Sequence, residues 1–264
     1  MLELKNVKKT FNAGTVNEKL ALCGVSLHLA KGDFATVIGG NGAGKSTMLN
    51  MIAGVYPIDS GQVILDGHDV SQLPEHTRAR HLGRVFQDPR LGTAADMQID
   101  ENLALAARRG KKRGLSWGIT KQERERYREL LATLGLGLET RLTNKVGLLS
   151  GGQRQALTLL MATIQEPDVL LLDEHTAALD PKTAKLVLDL TDQIVNRTHV
   201  CTLMVTHNMN DAIRMGNRLV MMHEGRIIYE VSGEEKKNLR RDDLLRKFDE
   251  ASGGEFSNDR MLLG

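Results

Sequence analysis

Apolar residues along this chain fall into short strand-type runs separated by longer helix-compatible blocks. Leu2, Leu4 and Val7 open an alternating stretch, and Val25, Leu27 and Leu29 alternate more cleanly around Ser26 and His28. Phe34–Ile38 is continuously apolar, as strands buried on both faces are. Val63–Leu65 runs into Asp66-Gly67, a strand ending in a turn, and Arg84–Phe86 is a further short strand. From about Glu101 to Leu136 the chain is rich in Ala, Leu, Arg and Glu, which predicts helix, and Thr120-x-x-Glu123 marks a helix start by its capping box. Strand pattern returns at Val169–Leu172, followed by a helix from Pro181 to about Asn196 with Asp180 before it. A strand at Val200–Val205, a short helix near Asn210–Met215 and a hairpin over Arg218–Val231 complete the pattern, the hairpin turning at Glu224-Gly225. Beyond about Lys236 a short charged helix and a Gly/Ser/Asn tail remain. Alternating strands and helices predict an α/β fold with a mainly parallel sheet, into which the middle helical block is inserted.

Between the strand Phe34–Ile38 and the helix-compatible Met48–Ala53 lies Gly39-Gly40-Asn41-Gly42-Ala43-Gly44-Lys45-Ser46-Thr47. The spacing Gly39-x-x-x-x-Gly44-Lys45-Ser46 is the P-loop pattern, and strand, glycine loop and helix are the context it requires. Glycines let backbone N–H groups converge on an anion, and the helix start adds its positive dipole end. Lys45 supplies charge to the β- and γ-phosphates and Ser46 a hydroxyl for Mg²⁺. A Gly-rich turn without a ligand is the plainer alternative, and the flanking elements argue against it. The expectation is a bound nucleoside triphosphate.

Composition narrows the class. A chain of 264 residues with 41% apolar content has room for one large or two small domains and a sizeable core. Aromatics at 3% leave few stacking platforms, and a net charge of +2 does not suit a polyanion binder, so no nucleic acid is expected. No apolar run approaches the about 18 residues of a membrane span, and Met1–Lys9 has no signal-peptide core. Cys23 and Cys201 lie in strand-like runs and read as reduced core residues of a cytoplasmic protein. The run Arg108-Arg-Gly-Lys-Lys-Arg113 reads as a solvated loop, with phospholipid headgroups or a partner as the sharper alternative. Trp117 and Tyr127 nearby are too few to form a nucleic-acid platform.

Two further features carry chemistry. Val169–Leu172 ends in Asp173-Glu174, and carboxylates at the carboxyl end of a buried strand belong where open α/β sheets bind ligands. Asp173 can hold Mg²⁺ and Glu174 can polarise a water; a solvated surface turn is the alternative. In Leu149-Ser150-Gly151-Gly152-Gln153, Ser150 and Gln153 make a capping box. A plain cap has no need of two glycines, which cost roughly 1 kcal/mol each in a helix. They fit a helix start whose N–H groups meet an anion.

At these residues the chain resembles the ATP-binding cassette ATPases, whose signature motif Leu149–Gln153 matches. The resemblance spans nearly the whole chain in motif order. Gln87 resembles the Q-loop glutamine, Asp173-Glu174 the magnesium aspartate and catalytic glutamate, Ala178–Asp180 the D-loop, His207 the switch histidine, and Phe11 the aromatic that stacks on adenine. Asp180 can also cap the helix beginning at Pro181. One departure is His175, where the family more often has Pro after the glutamate.

The resemblance implies a P-loop NTPase (RecA-like) core with an antiparallel β subdomain over 1–87 and 166–250, a helical subdomain over 88–165 and a tail over 251–264. It also implies ATP hydrolysis with Mg²⁺ attended by Ser46, Gln87 and Asp173. Each ATP would be sandwiched between the P-loop of one subunit and Ser150, Gly151, Gly152 and Gln153 of a second, so a dimer is expected. The wording of the motifs is closest to ATPase subunits of solute-binding-protein-dependent importers, some of amino-acid type. Such a subunit sits on the inner face of the membrane against separate permease subunits, docking near Asp88–Asp100. An exporter ATPase, or a soluble cassette of iron–sulfur assembly type, is the alternative.

Overall fold

The computed structural model describes residues 1–111 and 118–251. Lys112 and Arg113 of the basic run, Trp117 and the tail beyond Ala251 lie outside the described residues.

Ten strands form two sheets among the described residues. They are β1 (Leu2–Phe11), β2 (Lys19–Leu29), β3 (Phe34–Ile38), β4 (Ser60–Leu65), β5 (His68–Asp69), β6 (Leu82–Val85), β7 (Val169–Asp173), β8 (Cys201–Val205), β9 (Arg218–His223) and β10 (Arg226–Ser232). The larger sheet has the order β10-β9-β3-β8-β7-β6. Its neighbours pair in parallel from β9 to β6, and β10 adds an antiparallel edge through the hairpin at Glu224-Gly225. The smaller sheet, β2-β1-β4-β5, is antiparallel.

The helices are α1 (Lys45–Ala53), α2 (Glu75–Arg78), α3 (Ile99–Ala107), α4 (Lys121–Ala132), α5 (Gly151–Thr163), α6 (Pro181–Thr198), α7 (Met209–Arg214), α8 (Gly233–Lys237) and α9 (Arg241–Ala251). Both expected capping boxes form, at Thr120 with Glu123 and at Ser150 with Gln153. The middle block divides into α3, α4 and α5, with α4 starting after Thr120 as its capping box predicts.

Burial explains where the site falls. Met48, Leu49, Met51 and Ile52 of α1 are buried in one cluster with Leu2, Leu22 and Leu65 of the small sheet and Leu171, Leu203 and Val220 of the large one. The helix after the glycine loop is thus clamped between two sheets. At its far end the buried guanidinium of Arg78 donates to the carbonyls of Met51 and Ile52. A second cluster joins α3, α4, α5 and α6 to the opposite face of the large sheet, including Leu170, Leu172 and Met204. One expectation is corrected: Cys201 is buried but Cys23 is half-exposed, because the rim strand β2 has one side outside the core.

Candidate nucleotide site

Strand β3 is buried along its whole length and delivers the chain to Gly39 at the carboxyl edge of the parallel sheet. Gly39, Gly42 and Gly44 all take positive φ, and Gly44 caps the start of α1. Lys45 is buried and donates from Nζ to the carbonyls of Gly39 (2.6 Å) and Gly40 (2.9 Å). Burial pulls its ammonium below the usual lysine range, against the charges of Glu174 and Asp173. The loop's cation is therefore held in place by the loop itself, and Ser46 behind it is exposed.

A cavity of about 240 Å³ over the loop is lined by Asn41, Gly42, Ala43, Gly44, Lys45, Ser46 and Thr47 together with Phe11, Glu174 and His207. Four sequence features separated by up to 196 positions thus meet in one place. Phe11 packs edge-on against Tyr56 at 5.3 Å between ring centroids. Lys19, which pairs with Phe11 across β1 and β2, lines the same cavity. No pattern in the sequence points to Lys19; only the strand pairing brings it there.

Glu174 follows β7 and has φ 46°, a left-handed conformation that strains a side-chain-bearing residue. Its backbone N–H donates to the carbonyl of Val205 (3.0 Å). Strands β7 and β8 pair Asp173 with Val205, which sets Glu174 beside the residues after β8. There Nε2 of His207 lies 2.5 Å from Oε1 of Glu174.

Asp173 is two-tenths exposed at most, its side chain at 17%, and burial holds its carboxyl above the usual range. Arg84 opposes that shift from 3.9 Å, while the Glu174 charge adds to it. Nothing in the sequence marks Arg84, one arginine in a short strand. It also donates to Oδ1 of Asn50 in α1 (2.7 Å) and lies over the Phe86 ring. A second cavity brings Asp173 together with Gln87, Asn50 and Arg84. Ser46 shares the loop's cavity with Glu174, and Gln87 shares the second with Asp173; hydroxyl, amide and carboxylate oxygens are the donor types a hard divalent cation takes.

Ser150, Gly151, Gly152 and Gln153 are absent from the lining of the loop's cavity. Ser150 and Gly151 are exposed at the start of α5. Gly152 is buried, and a Cβ there would lie 2.0 Å from Cγ2 of Thr183 in α6. Helix packing therefore requires that glycine, a reason the motif alone does not show. Asp180 caps α6, its Oδ1 accepting from the Thr183 N–H (3.1 Å), and Leu179 lies against Gly151. His175 is buried against Thr191 of α6, with Nε2 3.1 Å from Oγ1.

Residues 22–177 match the model of the ABC transporter family, more than half of the chain. The chain belongs to this family. The cassette is 43% identical over 251 residues to the tyrosine transport ATP-binding protein of Clostridioides difficile, covering 95% of this chain and 100% of that protein. It is 33% identical over 235 residues to the spermidine/putrescine import ATP-binding protein PotA of Haemophilus influenzae, spanning 89% of this chain but only 59% of that one. Among solved structures, the dimeric post-hydrolysis state of the ATP-binding cassette MJ0796 bound to ADP and Pi superposes with a TM-score of 0.74 at 31% identity, over 88% of this chain and 98% of that one. The cassette is accordingly an ABC ATPase with the P-loop NTPase fold expected from its motifs.

Proposed function

We propose that this chain energises a solute importer by closing around ATP as a head-to-tail pair of cassettes. The carrying observation is the 43% identity to the tyrosine transport ATP-binding protein over 95% of this chain. It supports an amino-acid-type solute, delivered by a solute-binding protein to permease subunits that this cassette serves from the inner membrane face.

In this reading the loop amides and Lys45 hold the phosphates, and Phe11 stacks on adenine. Ser46, Gln87 and Asp173 would hold Mg²⁺, which when bound would offset the charge of the nucleotide phosphates. Glu174 accepts the proton of the attacking water as its oxygen bonds to the γ-phosphorus and the bond to the ADP oxygen breaks. His207 fixes the orientation of Glu174 and, on turning, reaches the γ-phosphate. Ser150, Gly151, Gly152, Gln153 and Asp180 contribute from the second subunit, in keeping with their absence from the lining of this chain's own loop cavity.

The permease docks in a groove of about 290 Å³ between the sheet core and the helical block, where Phe86, Leu91, Ala106 and Met161 face outward. Leu91 is 71% exposed there and offers a partner an apolar contact at the groove. Reconstitution with the permease and binding protein in liposomes tests the whole reading. ATP-driven uptake of tyrosine, abolished by Leu91→Asp without loss of ATP binding, is expected. Full ATPase activity with no response to permease and no uptake would sink it.

A further inference from the structure

We propose that a basic pocket beside this groove binds a phosphate group, supplied by anionic lipid at the membrane surface. Four segments meet there: the turn before β6, the residues following α3, the exposed face of α4 and the turn between α5 and β7. They border an open hollow of about 410 Å³ lined by Arg80, Arg109, Lys111 and Arg126 and by one carboxylate, Glu166.

These four cations differ from their neighbours. Arg108 donates to Oε1 of Glu123 (2.9 Å) and Arg124 to Oδ2 of Asp100 (2.9 Å). Among the described residues, Arg80, Arg109, Lys111 and Arg126 make no ion pair. Arg109 is half-buried; its Nη2 reaches the Ala162 carbonyl only at 3.4 Å, and its buried Nε has no acceptor. Arg109 lines the pocket with its guanidinium incompletely paired, and guanidinium N–H groups suit phosphate oxygens.

The pocket is built, since its walls are pinned. Gly110 has φ 72°, and a Cβ there would lie 2.8 Å from Cβ of Arg80, so glycine lets the two cationic segments touch. Gln165 donates from Nε2 to the Ala107 carbonyl (2.6 Å), tying the end of α3 to the turn after α5. Like charges held this close repel one another, and a bound anion offsets that repulsion. Ala107 and Ile164 give the pocket an apolar floor that a phosphodiester with its glycerol tolerates better than a hydrated ion does.

Arg109 lines both this pocket and the groove with Leu91. The choice of lipid as the source rests on reading that groove as the permease seat, which turns the pocket toward the bilayer.

Flotation of the purified full chain with vesicles tests the site without any permease. Binding to phosphatidylglycerol-containing vesicles, absent with pure phosphatidylcholine and weakened by salt, is expected. Arg80→Gln with Arg126→Gln should lower partitioning about 25-fold, at about fivefold per charge near an anionic surface. Both side chains are exposed, so the variant should keep its fold and its ATP affinity. Inorganic phosphate that raises the Tm of the wild type but not of the variant, without flotation, supports the site and assigns a soluble anion. Equal behaviour of wild type and variant in both assays overturns the proposal. So does loss of permease capture in the variant with flotation intact, which would assign the patch to a protein. A wild-type chain that floats but never engages a permease would instead count against the importer reading alone.

Discussion

Nε2 of His207 lies 2.5 Å from Oε1 of Glu174, and the two residues hang from the ends of the neighbouring parallel strands β8 and β7. Glu174 is thereby held over the glycine loop in a strained backbone conformation. Glu174→Gln keeps the shape and hydrogen-bonding reach but removes the carboxylate proposed to accept the proton of the attacking water. It should lower kcat by about 10²–10⁴-fold, the usual weight of general base catalysis. ATP affinity should stay within a few-fold, and size-exclusion chromatography with ATP should show a trapped dimer. Normal turnover would remove Glu174 from its role.

If His207 acts through Glu174, the two are one unit. His207→Ala should lower kcat strongly, and the double variant with Glu174→Gln should be little worse than the poorer single variant. Additive losses in steady-state kinetics would show that His207 acts on the nucleotide independently of Glu174.

Lys45 is fixed by two carbonyls of its own loop and sits between the field of two carboxylates and the phosphate nest. Lys45→Ala should weaken ATP binding by roughly 100-fold, the equivalent of one or two charge-assisted hydrogen bonds. Calorimetry reads this directly, and unchanged affinity would refute the assignment.

Much of this arrangement could be read in the chain because it is local. Strand β3 is bounded as its apolar run predicts, and the caps at Thr120, Ser150 and Asp180 follow from side chains three residues from their partners. What escaped is set by pairing between distant segments. The sequence orders Glu174 and His207 but does not show the register of β7 on β8 that joins them. Lys19 reaches the nucleotide cavity through its pairing with Phe11, and Arg84 reaches Asp173 because β6 lies beside β7. Cys23 looked internal because its neighbours are apolar, yet half-exposure follows from the position of β2 at the edge of its sheet.

Gly152 makes two demands that can be separated. Gly152→Ala would set a methyl 2.0 Å from Cγ2 of Thr183, an overpacking that should cost about 1–3 kcal/mol before the roughly 1 kcal/mol helix gain of alanine. Thr183→Ser removes that methyl group, so the double variant should regain or exceed wild-type stability in urea denaturation. A single Gly152→Ala variant as stable as wild type would show that Thr183 simply yields. If Gly152 acts on the nucleotide of a second subunit only through its backbone N–H, which alanine keeps, ATPase activity returns together with stability in the double variant.

His175 makes the turn after Glu174 sensitive to acid. Thr191 gives its hydroxyl proton to the Val187 carbonyl (2.8 Å), so its oxygen accepts from Nε2–H of a neutral His175. Burial pushes the imidazole pKa from 6.5 down to about 4. The unfolded chain therefore takes up this proton first as pH falls, and the native state is penalised. The stability His175 supports is intact above about pH 6.5 and declines between there and about pH 4, by roughly 3 kcal/mol in all. His175→Gln keeps a donor toward Thr191 without a titratable group. Urea unfolding across this range should fall less steeply for the variant than for the wild type; parallel curves would mean that His175 is protonated in the folded cassette as readily as in the unfolded chain.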